Sequence, residues 1–166
     1  MAKEIELTKG KVAIVDDEDY ERLSLYKWHI TGGFYGKYYT VRKSRCTGKR
    51  RDTIPMHREI LGLSPDDPLQ VDHINQDGLD NRKANLRLAT AQQNRRNRPK
   101  TKVNPGYKGV KLNKTSSKPR WYAMINLGRG EYKYLGSYDT PEEAARAYDN
   151  AARVHFGEFA YPNFSE

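Results

Sequence analysis

The chain has 166 residues, with 30 Lys and Arg against 21 Asp and Glu, a net charge of +9. That length holds one ordinary domain or two small ones, and the positive balance favours a polyanionic partner. Cys46 is the only cysteine, which excludes an intramolecular disulfide and a Cys-rich structural zinc site. No apolar run approaches ~18 residues and the N-terminus has no apolar signal core, so the expectation is an intracellular, cytoplasmic protein without a membrane partner. Twelve Tyr and two Trp speak against disorder and offer stacking surfaces.

Residues 1–68 read as a β-rich N-terminal region. Glu4 to Leu7 alternates, Thr8-Lys9-Gly10 turns, and Val12 to Val15 reads as a buried strand. Asp16 to Asp19 opens a short helix, its acids placed where the helix dipole favours them. Four consecutive side chains diverge, so this run is a helix start and not a metal cluster. Leu23, Leu25, Tyr26 and Trp28 are expected in the core. Phe34 to Arg42 and Arg51 to Met56 predict a hairpin whose tip carries Lys43, Arg45, Lys49, Arg50 and Arg51. Such a tip is a candidate phosphate-contacting arm, though a solvated loop would have the same composition. His57 to Gly62 predicts a helix of one or two turns, and His57 has either a phosphate contact or a packing role.

Residues 69–99 organise the chain. Val71 leads into Asp72-His73, an Asn-, Asp- and Gly-rich loop follows to Asn85, and Leu86-Arg87-Leu88 alternates as a short half-buried strand would. Thr90 stands three residues before Gln93, a capping-box pattern that starts a helix, and Pro99 stops it early. Asp72 and Asn94 offer hard oxygen ligands of the kind Mg²⁺ takes, one or two per ion, with water and phosphate filling the rest. His73 points to the other side of an extended backbone and can serve as a base on water. A base together with a cation is what phosphodiester hydrolysis requires. Each residue alone would suit a surface turn. Their combination, in order, on a basic chain, does not.

Asp72-His73, Asn85-Leu86-Arg87 and Asn94 resemble the HNH nuclease motif, the ββα-metal fold, and most of all the HNH homing endonucleases of phages and their introns. The resemblance implies Asp72 and Asn94 as metal ligands, with Mg²⁺ as the ion and Mn²⁺ as a substitute. It implies His73 as the general base, and Asn85 as the residue that ties down the loop and orients that base. Asn94 stands where many members carry a final His, so the ligand set is rich in oxygen. The products implied are a 3′ hydroxyl and a 5′ phosphate.

Arg95, Arg96 and Arg98 extend from the motif helix as candidate phosphate contacts, and residues 100–106 read as a basic linker. Residues 107–166 form a second unit. Strands are expected at Tyr107 to Asn113, Trp121 to Leu127 and Glu131 to Tyr138. Thr140-Pro141-Glu142-Glu143 is a helix start, and Gly157 fits the stop. Tyr107-Lys108-Gly109-Val110, Trp121, Tyr134-Leu135-Gly136, Ala144 to Ala152 and Asn163-Phe164 resemble the plant ethylene-response-factor (ERF) DNA-binding domain. That resemblance implies a three-stranded antiparallel sheet that enters the major groove, with one helix behind. Trp121, Ala123 and Ile125 would face the helix. Lys108, Lys111, Asn113, Arg120, Met124, Asn126, Tyr132 and Tyr134 match positions that contact DNA. Several of these are Arg or Trp in the plant proteins, so base preference does not transfer.

The fold class expected is therefore α+β: a β-rich region leading into the ββα-metal motif, then a small sheet packed on one helix. The function expected is site-specific cleavage of double-stranded DNA. The alternative is a DNA-binding regulator that does not cut. A structural RNA-binding protein is a third reading, for which no single-strand platform motif stands in the sequence.

Overall fold

A computed structural model describes residues 1–32, 37–44, 53–64, 66–98, 106–115 and 120–164. Backbone proximity divides the chain into two compact units, Met1–Ala91 and Gln92–Glu166. The protein is a mixed α and β molecule built from several small antiparallel sheets and few helices.

In the first unit, strand β1 (Ala2–Glu6) pairs antiparallel with β2 (Val12–Asp16). The acids Asp17, Glu18 and Asp19 fill the first turn of helix α1 (Asp17–Ser24), where the unpaired N–H groups favour negative charge. Strands β3 (His29–Gly32), β4 (Tyr38–Lys43) and β5 (Thr53–Pro55) form a three-stranded sheet in that order. The β4–β5 pairing agrees with the expected hairpin, whose tip residues Arg45, Lys49, Arg50 and Arg51 lie outside the described residues. Strand β3 was not foreseen. Helix α2 (Met56–Ile60) follows, and then β6 (Gln70–His73) pairs antiparallel with β7 (Leu86–Ala89).

One core serves these pieces. Ile5, Val15, Leu23, Trp28, Met56 and Ile60 pack together with Val71 of β6 and Leu86 of β7. A two-stranded hairpin by itself is only marginally stable in water. The N-terminal strands and helices supply the apolar surface on which β6 and β7 bury one face. Trp28 is held further by a bond from its Nε1 to the Leu23 carbonyl at 2.8 Å. Two residues expected in the core are not there: Leu25 is 80% exposed and Tyr26 44%. They follow the end of α1, where the chain turns outward, and the Tyr26 ring carries the Arg42 guanidinium 4.0 Å from its centre.

The second unit opens with the body of helix α3 (Ala91–Arg96). Strands β8 (Val110–Asn113), β9 (Arg120–Gly128) and β10 (Glu131–Tyr138) form a sheet of order β10-β9-β8, backed by helix α4 (Pro141–Phe156). Thr140 and Glu143 cap α4 reciprocally, each side chain bonding the other's backbone N–H. Ala123 and Ile125 of β9 are fully buried against Ala144, Tyr148 and Ala152 of α4. Gly109, at φ +78°, lies where a Cβ would overlap the Tyr148 ring. Buried Asp149 accepts bonds from the backbone N–H of Asn163 and Phe164, which ties the last described residues to the helix. Among the described residues no helix is long and apolar enough to cross a membrane.

Candidate active site

Asp72 and His73 end β6, and both are buried, 4% and 5% exposed. Asp72 faces Arg87 across the hairpin. Arg87 donates to Asp72 Oδ2 from Nε at 2.9 Å and from Nη2 at 2.7 Å. The pleat puts the His73 ring on the other side of the strand, where three neighbours surround it. His57 of α2 meets it edge-on, with ring centres 5.0 Å apart, and Tyr39 of β4 lies 5.9 Å away. On a further side, His73 Nε2 stands 3.4 Å from Asn81 Oδ1. Burial pushes the His73 pKa below its ordinary value, opposed by the Asn81 hydrogen bond. His57 is pushed down to about 3, first by burial and then by the neighbouring His73 and Arg58. Both imidazoles are therefore neutral near pH 7. His57 Nδ1 is buried without a hydrogen-bond partner among the described residues.

The loop between β6 and β7 is closed by its own amides. Asn85 Nδ2 donates to Asn75 Oδ1 at 2.9 Å and to the Asp80 carbonyl at 2.8 Å, while Asn85 Oδ1 accepts from the Asn75 N–H. Asp80 binds Arg82 through both carboxylate oxygens and takes a bond from Asn75 Nδ2. The arms of this loop also dock on β2: Ile14 N–H donates to Leu79 O and Asn81 N–H to Ile14 O. Gly78 rests against the Tyr39 ring, where a Cβ would clash. Asn85 thus makes loop-closing bonds, and the amide on the His73 ring belongs to Asn81. Nothing local marked Asn81 out in a stretch with several Asn; its full burial is the signal, and burial is not written in the sequence.

Asn94 lies on α3 and is half-buried. It belongs to the second unit, whereas Asp72, His73 and Asn85 belong to the first. Helix α3 is held within its own unit. Gln92 Nε2 and Arg96 Nη2 both donate to the Leu127 carbonyl, at 2.9 and 3.0 Å, and the Arg96 guanidinium lies 4.1 Å over Phe156. Lys108 Nζ donates to the carbonyls of Arg96 and Arg98 at the helix end, at 2.5 and 3.0 Å. Burial lowers the Lys108 pKa to about 8. Arg96 and Lys108, both expected at DNA, are thus engaged inside the unit. Arg95 and Arg98 are exposed.

Among the described residues no group of three or more His, Cys, Asp or Glu is disposed to hold a metal ion. The Asp72 carboxylate by itself offers the hard-oxygen chemistry that Mg²⁺ takes.

The outer face of the β8–β10 sheet is open. Tyr132 and Tyr134 are 58% and 61% exposed, paired in register with Asn126 and Met124. Lys111 stands opposite Tyr122 and Asn113 opposite Arg120, and Arg120 makes an ion pair with Asp139 at 3.2 Å. Lys43 lies at the end of β4 and bonds Thr53 Oγ1.

The family model described as HNH endonuclease matches residues 58–96. An uncharacterized HNH endonuclease of Acanthamoeba polyphaga mimivirus is 31% identical over 160 residues, covering 93% of this chain and 76% of that protein. The chain belongs to the HNH endonuclease family, and the protein is an endonuclease of that class. It also carries an ERF-like region. Ethylene-responsive transcription factor ERF070 of Arabidopsis thaliana is 39% identical over 69 residues, which is 38% of this chain and 41% of that protein. Dehydration-responsive element-binding protein 2D of the same plant is 46% identical over 61 residues, covering 36% of this chain and 28% of that one. The chain thus spans less than half of either plant relative. HNH endonucleases use a divalent metal.

Proposed function

We propose that the protein is a site-specific DNA endonuclease of the homing type, cutting with one divalent metal and His73 as general base. The observation that carries the reading is the placement of His73: buried, and set among an amide oxygen and two rings at the end of β6.

His73 takes a proton from water, and the water oxygen forms a bond to phosphorus as the bond to the 3′ oxygen breaks. The departing oxygen gains a proton from solvent, leaving a 3′ hydroxyl and a 5′ phosphate. Asp72 and Asn94 would hold the metal. When bound, that ion supplies positive charge toward the negative charge that grows on the phosphate and leaving oxygen. Arg87 fixes the Asp72 carboxylate through the two bonds to Oδ2, and Asn85 keeps the loop shut around the base.

The open face of the second unit would choose the site, through Lys111, Asn113, Arg120, Asn126, Tyr132 and Tyr134. Arg95, Arg98 and Lys43 would add phosphate contacts, with Arg45, Lys49, Arg50 and Arg51 beyond the described residues. Lys108 and Arg96 would serve this unit by holding α3, not by touching DNA. Domain roles follow the sequence reading, with nuclease residues at 69–99 and recognition at 107–166.

Purified protein incubated with supercoiled DNA carrying candidate loci, with and without Mg²⁺, tests the reading. Nicked or linear product only with Mg²⁺ is expected. Tight site-selective binding with intact DNA would instead favour the regulator.

A further inference from the structure

The short helical turn Thr8–Gly10 delivers Lys11 to the start of β2, and the loop after His73 docks on that strand. Lys37 stands just before β4. These three segments, distant in sequence, meet around a groove of about 400 Å³ lined by Lys11, Lys37, Tyr38 and residues 75–79. Gly78 lets them close up. A Cβ there would lie 2.3 Å from the Tyr38 carbonyl oxygen, so loop and strand lie backbone to backbone.

Two ammonium groups belong to this groove. Lys11 Nζ lies over the Tyr38 ring, 5.6 Å from its centre. Lys37 Nζ donates to Gln76 Oε1 at 3.3 Å, using one of the three donors a Lys ammonium carries. Among the described residues neither lysine makes an ion pair, whereas Lys3 of the same unit is paired with Asp17, and Lys83 with Glu18 and Asp19. Asp77, the acid in the lining, has Oδ1 turned back onto the Leu79 N–H at 3.0 Å. Gln76 stands at φ +65°, a conformation uncommon for a residue with a side chain and one that collects at functional sites. It is the third residue after His73, and its N–H donates to the His73 carbonyl at 2.9 Å.

We propose that this groove seats the DNA backbone beside the cut: Lys11 and Lys37 bind phosphates neighbouring the scissile one, and Gln76 steers the Lys37 ammonium toward them. This rests on the reading of double-stranded DNA as the substrate and of His73 as the place of cleavage. A DNA strand brings one negative charge per phosphate, and a contact to phosphate carries no base information. The nuclease unit then has its own grip on DNA, independent of sequence and separate from the sheet face of the second unit.

The test uses the full chain and a fluorescent duplex of mixed sequence, in EDTA so that binding is read without cleavage. Lys11→Met and Lys37→Met should each reduce the slope of log affinity against log salt by about 1, while Lys11→Arg and Lys37→Arg keep the slope. In cleavage with Mg²⁺, kcat/KM of the Met variants should fall mainly through KM. Folded Met variants with the parent slope overturn the inference. So does a loss of affinity at unchanged slope, which is what a purely structural role for the lysines would give. Where a Met variant fails to fold, the wild type decides: amine labelling of Lys11 and Lys37, read by mass spectrometry, should slow when the duplex is added, and undiminished labelling overturns the inference. A wild type that neither binds nor cuts duplex DNA sinks the substrate reading and this inference together. A wild type that cuts while both lysines stay open to label sinks this inference alone.

Discussion

Asp72 and Arg87 are direct cross-strand partners, and their side chains meet at 2.7 Å with only 5% and 11% of their surfaces exposed. Removing one member of such a pair strands the other charge away from water, at a cost of ~3–5 kcal/mol. Asp72→Ala should therefore lower stability by that order as well as abolish cleavage. The double change Asp72→Leu with Arg87→Leu should recover much of the stability and none of the cleavage. Urea unfolding beside plasmid cleavage separates the two roles; recovery of cleavage in the double variant would remove Asp72 from the metal site.

His73→Ala should leave folding and DNA affinity nearly intact and slow cleavage by ~10²-fold or more, the scale of general-base help. EDTA should stop the reaction, and added Mg²⁺ or Mn²⁺ should restore it. Asn94→Ala should lose most of the activity. Unchanged cutting in excess EDTA would sink the metal roles of Asp72 and Asn94 together.

His57 makes the fold sensitive to acid. Its folded pKa is about 3 against an ordinary 6.5, because burial disfavours the charged ring. The unfolded chain therefore binds the proton first as pH falls. Stability from keeping this ring neutral is complete above 6.5 and drains away as pH drops from 6.5 toward 3. His57→Phe should flatten that part of the curve. Urea midpoints measured across the range check it; an unchanged slope in the variant would show that His57 is not the titrating group.

A chain ending at Lys102 would keep every residue assigned to cleavage. It would also lose Leu127 and Phe156, which hold Gln92 and Arg96 of α3, and Lys108, which bonds the carbonyls at its end. A six-residue helix has no stability of its own in water. The expectation is that α3 melts and cleavage falls with it, so the fragment neither cuts well nor selects a site. Circular dichroism and plasmid nicking report the two losses. Efficient nicking by the 1–102 fragment at low salt would show that α3 forms without its neighbours.

Lys111 is exposed on the open sheet face. If it meets a phosphate, Lys111→Ala should weaken binding about equally across sequences and reduce the slope of log affinity against log salt by about 1. Lys108→Met should destabilise the second unit and leave that slope nearly unchanged, since its ammonium is spent on the Arg96 and Arg98 carbonyls. Fluorescence anisotropy over a salt series distinguishes them.

The features read well from sequence are those set by neighbours along the chain. Strand β10 has the expected bounds because alternation is a local pattern. Helix α4 starts where Thr140, Pro141 and Glu143 require it, because capping is chemistry within one turn. The likeness of residues 72–94 to the HNH family was legible for the same reason: the motif is a spacing.

What only the tertiary structure decided depends on groups distant in sequence. Asn81 became the partner of His73 because Ile14, 67 residues away, clamps the loop that carries it. Leu25 and Tyr26 look like core residues until the chain leaves α1 and turns them outward. Lys108 and Arg96 read as DNA contacts because a basic side chain carries no mark of where its charge is spent. One ends on helix carbonyls and the other on Leu127 O, and both hold α3 within the second unit. Sequence sets which hydrogen bonds each side chain can make; packing decides which of them it does make, because a buried polar group must take whatever partner the fold brings to it.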